Sequence, residues 1–236
     1  MCGRFSLRVE LAELLEYYGI AETNFDYVPR YNIAPGQTIP AIIDAPAGRR
    51  LGGLRWGLVP EWARDDKIGY KMINARADGV SDKPAFAKPF RTKRCIVPTD
   101  GFYEWRKTDK QPFRITLKDG GLLSLAALYD VWVSPDGAKL ATVTIITTEA
   151  NELMAPLHDR MPVILPRDRV GAWLDRSNTD PRALLPMLEP YDPEAMHAYP
   201  VNPLVGNAKN DVPACLEPYV PPGGRETTGP EQLNLF

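Results

Sequence analysis

The spacing of apolar residues changes several times along the chain, and each spacing predicts a different element. Between residues 7 and 18 the apolar side chains recur at helical intervals, so we predict a helix capped by Ser6 and ended by Gly19. Between residues 31 and 62 the apolar stretches are short and are interrupted by proline and glycine. This second pattern predicts strands joined by long surface loops.

The middle of the chain has the most regular pattern. Apolar and polar side chains alternate over residues 113–117, and residues 122–128 are mostly apolar. Residues 140–147 are rich in β-branched side chains, and turn residues separate the three segments. We predict an antiparallel meander that forms the core sheet. Further on, Asn151 is expected to cap a short helix, and residues 167–175 carry Val170, Trp173 and Leu174 on one helical face.

The composition changes once, after Cys215. Residues 217–230 are rich in proline and glycine and nearly lack apolar side chains, which is typical of a flexible linker. The linker is followed by QLNLF at residues 232–236. An apolar tip at this place indicates that the tail itself is a peptide ligand for another protein. With no repeat or linker inside residues 1–216, we predict one domain there and a flexible tail over residues 217–236.

The overall composition is that of an ordinary globular protein. Of 236 residues, 44% are apolar and 25% are charged, and the 24 prolines, about twice the average share, argue against long helices. No long apolar run or basic-then-apolar leader is present, and three cysteines and two separated histidines lack metal or disulfide spacing. We therefore expect a cytoplasmic protein with reduced thiols, no metal, no cofactor and no membrane span.

The charge is unevenly distributed. The net charge is −2, yet residues 49–94 hold twelve Lys and Arg against five Asp and Glu, so this segment carries +7 and the remainder −9. On charge alone, the segment is either an ordinary solvated face or an anion-binding surface.

Cys2 follows the initiator Met directly. Removal of Met1 would leave a free α-amine and a thiol on one residue, and an amine with a pKa near 7.7–8.0 is partly neutral at pH 7 and can add to an aldehyde. The thiol could then close a thiazolidine ring. A cysteine at position 2 is often accidental, but Gly3 permits close backbone approach and Arg4 supplies a permanent cation. Aldehyde capture and acyl transfer both fit this arrangement.

Two further segments carry candidate acid and base groups. Glu104 lies between aromatic residues, and burial against rings raises a carboxyl pKa, so it is either a proton donor and acceptor or a strand-edge residue beside the core. His158 is one of two histidines and is either structural or a proton shuttle presented by a fixed loop.

A third set of residues suits the recognition of a sugar, a phosphate or a base. Asn74 and Arg76, two positions apart, would point the same way on a strand, although a hydrogen-bonded turn would also explain Asn74. Cations interleaved with aromatic side chains are typical of single-stranded nucleic-acid binding. Of the two tryptophans in this segment, Trp56 is expected in the core and Trp62 on the surface.

Together these segments resemble the SOS response-associated peptidase (SRAP) family of abasic-site processing proteins. Seven motifs in order carry the resemblance: MCGRF (1–5), RYNIAP (30–35), WGLVP (56–60), NARA (74–77), GFYEW (101–105), HDRMP (158–162) and VGN (205–207). The resemblance implies a compact α+β domain of twisted, mainly antiparallel β-sheets with flanking helices and a basic groove for single-stranded DNA. We expect this domain to be a monomer.

The resemblance also implies a reaction and roles for individual residues. Cys2 would crosslink to the ring-opened aldehyde of an abasic site through a thiazolidine, with lyase-type Schiff-base chemistry, and so protect the lesion during the SOS response. The other catalytic residues would be Asn74, which positions the amine and sugar, Glu104, the acid and base, and His158, which assists ring opening or reversal. The expected DNA contacts are Arg4, Pro35, Trp62, Arg76, Lys83 and Arg160.

Three points stand beside this resemblance. Asp78 replaces the Glu that the family usually has after NARA, which puts that residue's role in doubt. The peptidase name we interpret as removal of Met1. The tail residues Gln232, Leu233, Leu235 and Phe236 resemble the short motif by which bacterial proteins dock on the replicative sliding clamp.

Two other classes of function compete with this interpretation. N-terminal-nucleophile glutamine amidotransferases also begin Met-Cys-Gly, but they typically carry an Asn-Gly pair for the oxyanion hole, and this chain contains none. A non-catalytic single-strand-binding adaptor would bind intact and abasic strands alike, with salt-sensitive affinity and no covalent product.

Overall fold

The computed structural model describes residues 2–220, so the predicted clamp motif at residues 232–236 lies outside the described residues. The strands, in chain order, are β1 (Phe5–Leu7), β2 (Arg30–Ile33), β3 (Thr38–Ala45), β4 (Gly48–Trp56), β5 (Asn74–Arg76), β6 (Arg94–Thr99), β7 (Gly101–Trp105), β8 (Pro112–Leu117), β9 (Leu123–Val133), β10 (Lys139–Glu149), β11 (Arg160–Pro162), β12 (Ile164–Leu165) and β13 (Met196–Pro200). The α-helices are α1 (Leu11–Tyr18), α2 (Ala87–Thr92), α3 (Val170–Leu174) and α4 (Pro181–Leu184).

Strands β10, β4, β3, β6 and β9 pair in that order, and β9 pairs back with β10, so they close into a small barrel. Strand β12 extends from β9, while β5 and β11 pair with the C-terminal half of β10, one on each edge. A second sheet has the order β13-β8-β7-β1-β2 and is antiparallel throughout. The expected α+β architecture with mainly antiparallel sheets is confirmed.

The two sheets share one hydrophobic core. The ring of Phe5 on β1 lies 5.1 Å from the ring of Trp56 on β4, and both side chains are almost fully buried. Trp56 is therefore the core residue that its sequence context predicts. The chain beyond Cys215 also contacts the body, because Pro218 bridges to Val201 and the Tyr219 amide donates to the Pro200 carbonyl at 2.9 Å.

The predicted N-terminal helix is shorter than its apolar pattern. Gly19 ends it as predicted, in the left-handed conformation with φ of 65°, but Glu10 rather than Ser6 precedes its first turn. Ser6 pairs with Gly101 in the second sheet, and its hydroxyl donates to the Asp100 carboxylate at 2.6 Å. The Ser6 cap is therefore wrong, because sheet pairing and a buried carboxylate engage that residue.

The predicted meander is correct in its last hairpin only. Strands β9 and β10 form a long antiparallel pair, whereas β8 pairs with β7 and β13 in the other sheet. The turn after β8 thus connects two different sheets. The alternation of apolar and polar residues predicts the strands but does not show which sheet each strand joins.

The two helices predicted in the C-terminal half have different outcomes. Asn151 accepts the Met154 amide at 3.0 Å in cap-like fashion, but a turn follows it instead of a helix. The helix predicted over residues 167–175 is confirmed: a 3-10 turn leads into α3, and Val170, Trp173 and Leu174 are all buried.

Within residues 2–220, no helix is long and apolar enough to cross a membrane.

Candidate active site and nucleic-acid interface

Cys2 is held at the entrance of β1, directly beside β7. The Tyr103 amide donates to the Arg4 carbonyl at 2.9 Å, and Phe5 pairs with Phe102, so the first residues of the chain run along the strand that carries Glu104. Cys2 is fully buried and Glu104 is 3% exposed. The sheet register thus brings the predicted nucleophile and the predicted acid into one buried site.

Burial sets the protonation of both groups. It raises the pKa of the Cys2 thiol far above its usual value, and the Glu104 carboxylate raises that pKa further. Burial also raises the pKa of Glu104, an effect that the nearby His158 partly offsets. At neutral pH the thiol is therefore protonated, and Glu104 holds its proton to a higher pH than an exposed carboxyl does. Cys2, Glu104 and His158 are therefore close enough to influence one another's charge.

His158 is oriented by the loop that precedes β11. The backbone amide of Arg160 donates to Nδ1 of His158 at 3.0 Å. The same nitrogen lies 3.3 Å from the Arg160 carbonyl oxygen, so both polar groups of the Arg160 backbone face Nδ1. The loop therefore fixes the orientation of the imidazole ring.

Asn74 and Arg76 lie on β5, which pairs with β10 through Ile145 and Thr147. Ala75 between them is buried, so Asn74 and Arg76 share the opposite face, as their spacing predicts. The amide nitrogen of Asn74 donates to the Ile145 carbonyl at 3.5 Å. Its oxygen Oδ1 is buried and has no hydrogen-bond partner among the described residues, which leaves an acceptor for an incoming donor.

Arg160 reaches the same end of β10 from the other edge. Its guanidinium donates to the Asp78 carboxylate at 3.0 Å and to the Thr147 carbonyl at 2.6 Å. Asp78 is therefore the ion-pair partner of Arg160. Its role had been in doubt because the family usually has Glu at this position. Arg160 is held in place by these bonds, and Arg76 projects to the surface beside it.

Arg4 is engaged within the protein. Its Nη1 donates to Oδ1 of Asn32 at 3.0 Å and to the Val205 carbonyl at 2.7 Å, and the guanidinium lies 5.8 Å from the centre of the Trp105 ring. Arg4 thus anchors the residues next to Cys2, a role that its sequence context did not indicate.

Asn32 is a residue that the sequence interpretation missed. It is fully buried, and its Nδ2 donates to the carbonyls of Val205, Asn207 and Asn210 at 3.1, 3.1 and 2.7 Å. Asn32 therefore ties the VGN segment to Arg4 and to the N-terminal strand. The sequence feature that could have identified Asn32 is its position as a polar residue between Tyr31 and Ile33 in the RYNIAP motif.

Trp62 is 55% exposed, as predicted, on a loop fastened to β9. Buried Asp130 accepts the Glu61 amide at 3.1 Å and pairs with Lys93, and Trp132 Nε1 donates to the Ala63 carbonyl at 2.8 Å. Asp130 is a second residue that sequence reasoning missed. An acidic residue inside an otherwise apolar strand was its only signal.

The basic segment divides into inward and outward cations. Arg55 pairs with Asp66, Lys93 with Asp130, and buried Arg94 donates to five backbone carbonyls, so these charges stabilise the fold. The exposed cations of the segment include Arg64, Lys67, Lys71, Arg76 and Lys83. Pro35 is half-buried in the turn before β3. Trp62 lies on the loop after β4, and Lys83 lies on the loop between β5 and α2.

Comparison with known proteins gives one consistent result. Residues 1–208 match the family model described as SOS response associated peptidase (SRAP). The chain is 50% identical over 224 residues to "Abasic site processing protein YoqW" of Bacillus subtilis (strain 168), which covers 93% of this chain and 100% of that relative. It is 34% identical over 223 residues to "Abasic site processing protein HMCES" of Xenopus tropicalis, covering 80% of this chain and 66% of that relative. A crystal structure of a Bacteroides thetaiotaomicron protein superposes with a TM-score of 0.84 at 28% identity, over 93% of this chain and 100% of that one.

Proposed function

The chain belongs to the SOS response associated peptidase family, and from that premise we propose that it processes abasic sites in single-stranded DNA by a covalent thiazolidine crosslink through Cys2. The observation that carries the proposal is the burial of both Cys2 and Glu104 where β1 pairs with β7, because this burial raises the pKa of Glu104. The names of the relatives, which refer to abasic sites, support the substrate.

The reaction begins once hydrolysis of the Met1–Cys2 bond has exposed the α-amine. The amine adds to the C1′ aldehyde of the ring-opened deoxyribose, and the carbinolamine loses water to give an imine. The thiol sulfur then adds to the imine carbon while its proton passes to nitrogen, which closes the ring. The amine, thiol and aldehyde are thereby converted to a thiazolidine with release of one water.

Glu104 supplies the proton transfers that these steps need. A carboxyl with a raised pKa can donate its proton to the departing hydroxyl of the carbinolamine, and the resulting carboxylate can accept the proton of the thiol. The thiol requires this base because burial keeps it protonated at neutral pH. His158, whose ring is oriented by the backbone of Arg160, assists sugar ring opening or the reverse reaction.

The amide of Asn74 and the surrounding cations hold the substrate. The unpartnered Oδ1 of Asn74 suits the N–H of the Cys2 amine or a sugar hydroxyl. Arg76 and Lys83 are exposed and would contact phosphates. Arg4 and Arg160 would contribute those N–H groups that are not used in hydrogen bonds within the protein. Pro35 and Trp62 would lie against neighbouring bases. In the cell, the protein would act in the cytoplasm at DNA damaged during replication.

A crosslinking assay tests this function. Uracil-containing single-stranded DNA is treated with uracil-DNA glycosylase and mixed with wild type, Cys2→Ala or Cys215→Ala. Wild type and Cys215→Ala should give a heat-stable protein–DNA adduct. Cys2→Ala keeps an α-amine but lacks the thiol, so it should give only a borohydride-trappable imine and strand cleavage by β-elimination. A heat-stable adduct from Cys2→Ala, or none from wild type, contradicts the proposal.

Two further measurements on the same variants, of strand affinity and of glutaminase activity, separate the two alternatives. An adaptor would bind intact and abasic strands with equal affinity and leave no covalent product. A glutamine amidotransferase would release ammonia from glutamine in a reaction that Cys2→Ala abolishes.

The C-terminal tail is proposed to bind the replicative sliding clamp through Gln232, Leu233, Leu235 and Phe236. The support for this is the sequence motif and its position after a Pro- and Gly-rich linker. Deletion of residues 232–236 should abolish clamp binding and leave the crosslinking rate unchanged. Equal clamp affinity after the deletion would refute this role.

A further inference from the structure

Tyr70 is the most exposed large apolar side chain of the described residues, with 72% of its surface accessible. It lies on the 3-10 helix Asp66–Lys71, four residues before Asn74. An aromatic ring of this exposure contributes little to the hydrophobic core. The roles given above to Pro35, Trp62 and Asn74 leave Tyr70 without a function.

The helix that carries Tyr70 is firmly fastened. Arg55 donates to the Asp66 carboxylate at 2.7 Å and to the Asp66 carbonyl at 3.2 Å, and Asp65 caps the Lys67 amide at 2.9 Å. Tyr70 therefore projects from an element held at its first turn.

Close backbone packing holds the far end of the same helix. A Cβ on Gly57, which has φ of 125°, would lie 2.6 Å from the Gly69 carbonyl oxygen, so only glycine permits this approach. One residue past the helix, the Met72 carbonyl accepts the Leu58 amide at 3.0 Å. The backbone on either side of Tyr70 is thus fixed against the strand that ends at Trp56.

The Tyr70 ring lies close to the turn that contains Pro35. Its Cε1 is 3.7 Å from the position that a Cβ on Gly36 would occupy, so the absence of a side chain at Gly36 leaves the space beside the ring open. The Gly36 amide donates to the Trp56 carbonyl at 2.8 Å, and Trp56 Nε1 donates to the Ile73 carbonyl at 2.9 Å. Trp56 therefore joins the Pro35 turn to the residue that precedes Asn74.

The surroundings of Tyr70 carry positive charge. Residues 64–76 include four cations, Arg64, Lys67, Lys71 and Arg76, all of them exposed. The two acids in the same stretch are Asp65 and Asp66, and Asp66 is paired with Arg55. An exposed aromatic ring among cations can bind a polyanion that also has aromatic bases, because the bases stack on the ring and the phosphates contact the cations.

We propose that Tyr70 and the turn of Pro35 and Gly36 form a base-stacking platform for one intact nucleotide that flanks the lesion, separate from the surface of Trp62. The occupant is a nucleobase of single-stranded DNA, because the platform combines a stacking face with exposed cations and is joined through Trp56 to the strand of Asn74. The inference rests on the proposed function, which supplies the DNA. It adds a residue that determines where the strand runs beside the reacting nucleotide.

The test measures non-covalent affinity, so that it does not depend on the crosslink. Wild type, Tyr70→Ala, Tyr70→Phe and the control Val28→Ala, an exposed apolar position elsewhere, are titrated with a fluorescent oligothymidine of undamaged DNA. Tyr70→Ala should weaken binding by about five-fold or more, the loss expected from removing one base stack. Tyr70→Phe and Val28→Ala should bind as wild type does.

A second arm identifies the base. In a series of oligonucleotides, a tetrahydrofuran abasic analogue, which has no aldehyde and cannot crosslink, replaces one nucleotide at a time. If Tyr70 stacks on a base, the penalty of Tyr70→Ala should disappear at one position of the analogue and persist at the others. That position should differ from the one at which the penalty of Trp62→Ala disappears.

Each outcome decides the matter independently of the chemistry. Wild-type affinity in a folded Tyr70→Ala would overturn the platform. An equal loss in Tyr70→Phe would overturn stacking, because the hydroxyl would then carry the contact. A stacking signature at Tyr70 without any crosslink from wild type would support the platform and refute the proposed reaction.

Discussion

Glu104 shows how a single buried carboxyl acquires its chemistry. The aromatic neighbours in its motif left open whether Glu104 is buried or lies at a strand edge; the structure buries it, and this burial raises its pKa. The proximity of Cys2 and His158 could not be predicted from spacing, because it depends on the pairing of β1 with β7 and on the loop before β11. Asn32 and the pair of Asp78 with Arg160 were missed for the same reason: the carbonyls that Asn32 binds and the guanidinium that Asp78 binds are 80 or more residues away.

The buried carboxyl should make stability depend on pH. Its pKa is raised in the folded protein above the ordinary value of 4.5, so the folded state binds the proton more tightly than the unfolded state does. Below pH 4.5 both states are protonated, and stability is lost as the pH rises from there through the folded pKa. Glu104→Gln cannot ionise, so its Tm relative to wild type should rise over that window. A Tm difference that is constant or falls with pH would contradict the raised pKa.

Glu104 should also control the rate of adduct formation. We expect Glu104→Ala to slow the reaction by on the order of 10²-fold, the usual contribution of a general acid and base. Glu104→Gln, which retains the shape of the side chain, separates this effect from misfolding and should be slowed similarly. The measurement is a single-turnover time course at saturating abasic DNA, and an unchanged rate in folded Glu104→Gln would remove the acid and base role.

At the scale of elements, the loop of Trp62 is held by β9 rather than by its own sequence. The apolar and turn patterns predicted an exposed tryptophan after Pro60, which is confirmed, but the anchors at Asp130 and Trp132 lie 68 or more residues further on. The meander was mispredicted for a related reason, since alternation specifies a strand and not its neighbours. Local pattern therefore predicted which segments are strands or loops, and tertiary pairing decided how they are joined.

Loss of the Asp130 anchor should loosen this loop. In Asp130→Asn the charge opposite Lys93 disappears, so the Trp62 loop should become more susceptible to trypsin at exposed Arg64 and affinity for single-stranded DNA should fall several-fold. If the anchor acts through Trp62, the affinity losses of Asp130→Asn and Trp62→Ala should not add in the double variant. Fully additive losses, or a digestion pattern like that of wild type, would show that the anchor does not position the loop.

For the whole molecule, net charge is a poor guide to partners. A value of −2 gives no indication of DNA, and the +7 of residues 49–94 overstates the surface charge, because Arg55, Lys93 and Arg94 serve the fold. The exposed cations that remain flank β5 and the Tyr70 helix. Which cations face outward is decided by burial and pairing, and the sequence alone could not sort them.

The salt dependence of DNA binding should report the outward cations. For single strands the slope of log K against log salt changes by about 0.7 for each phosphate contact, so Arg76→Ala should reduce the magnitude of the slope by about that amount. Arg182 on α4 is exposed and paired with Asp180, and Arg182→Ala serves as the control with an unchanged slope. An unchanged slope in Arg76→Ala would remove Arg76 from the phosphate contacts.

Cys2, freed of Met1, is proposed to be the residue that joins the protein to DNA. Mass spectrometry of the product formed with a short abasic oligonucleotide identifies this residue. The expected mass is that of the chain without Met1 plus the DNA minus one water, with the DNA on the N-terminal peptide. An adduct that retains Met1, or DNA attached to any other residue, would contradict it.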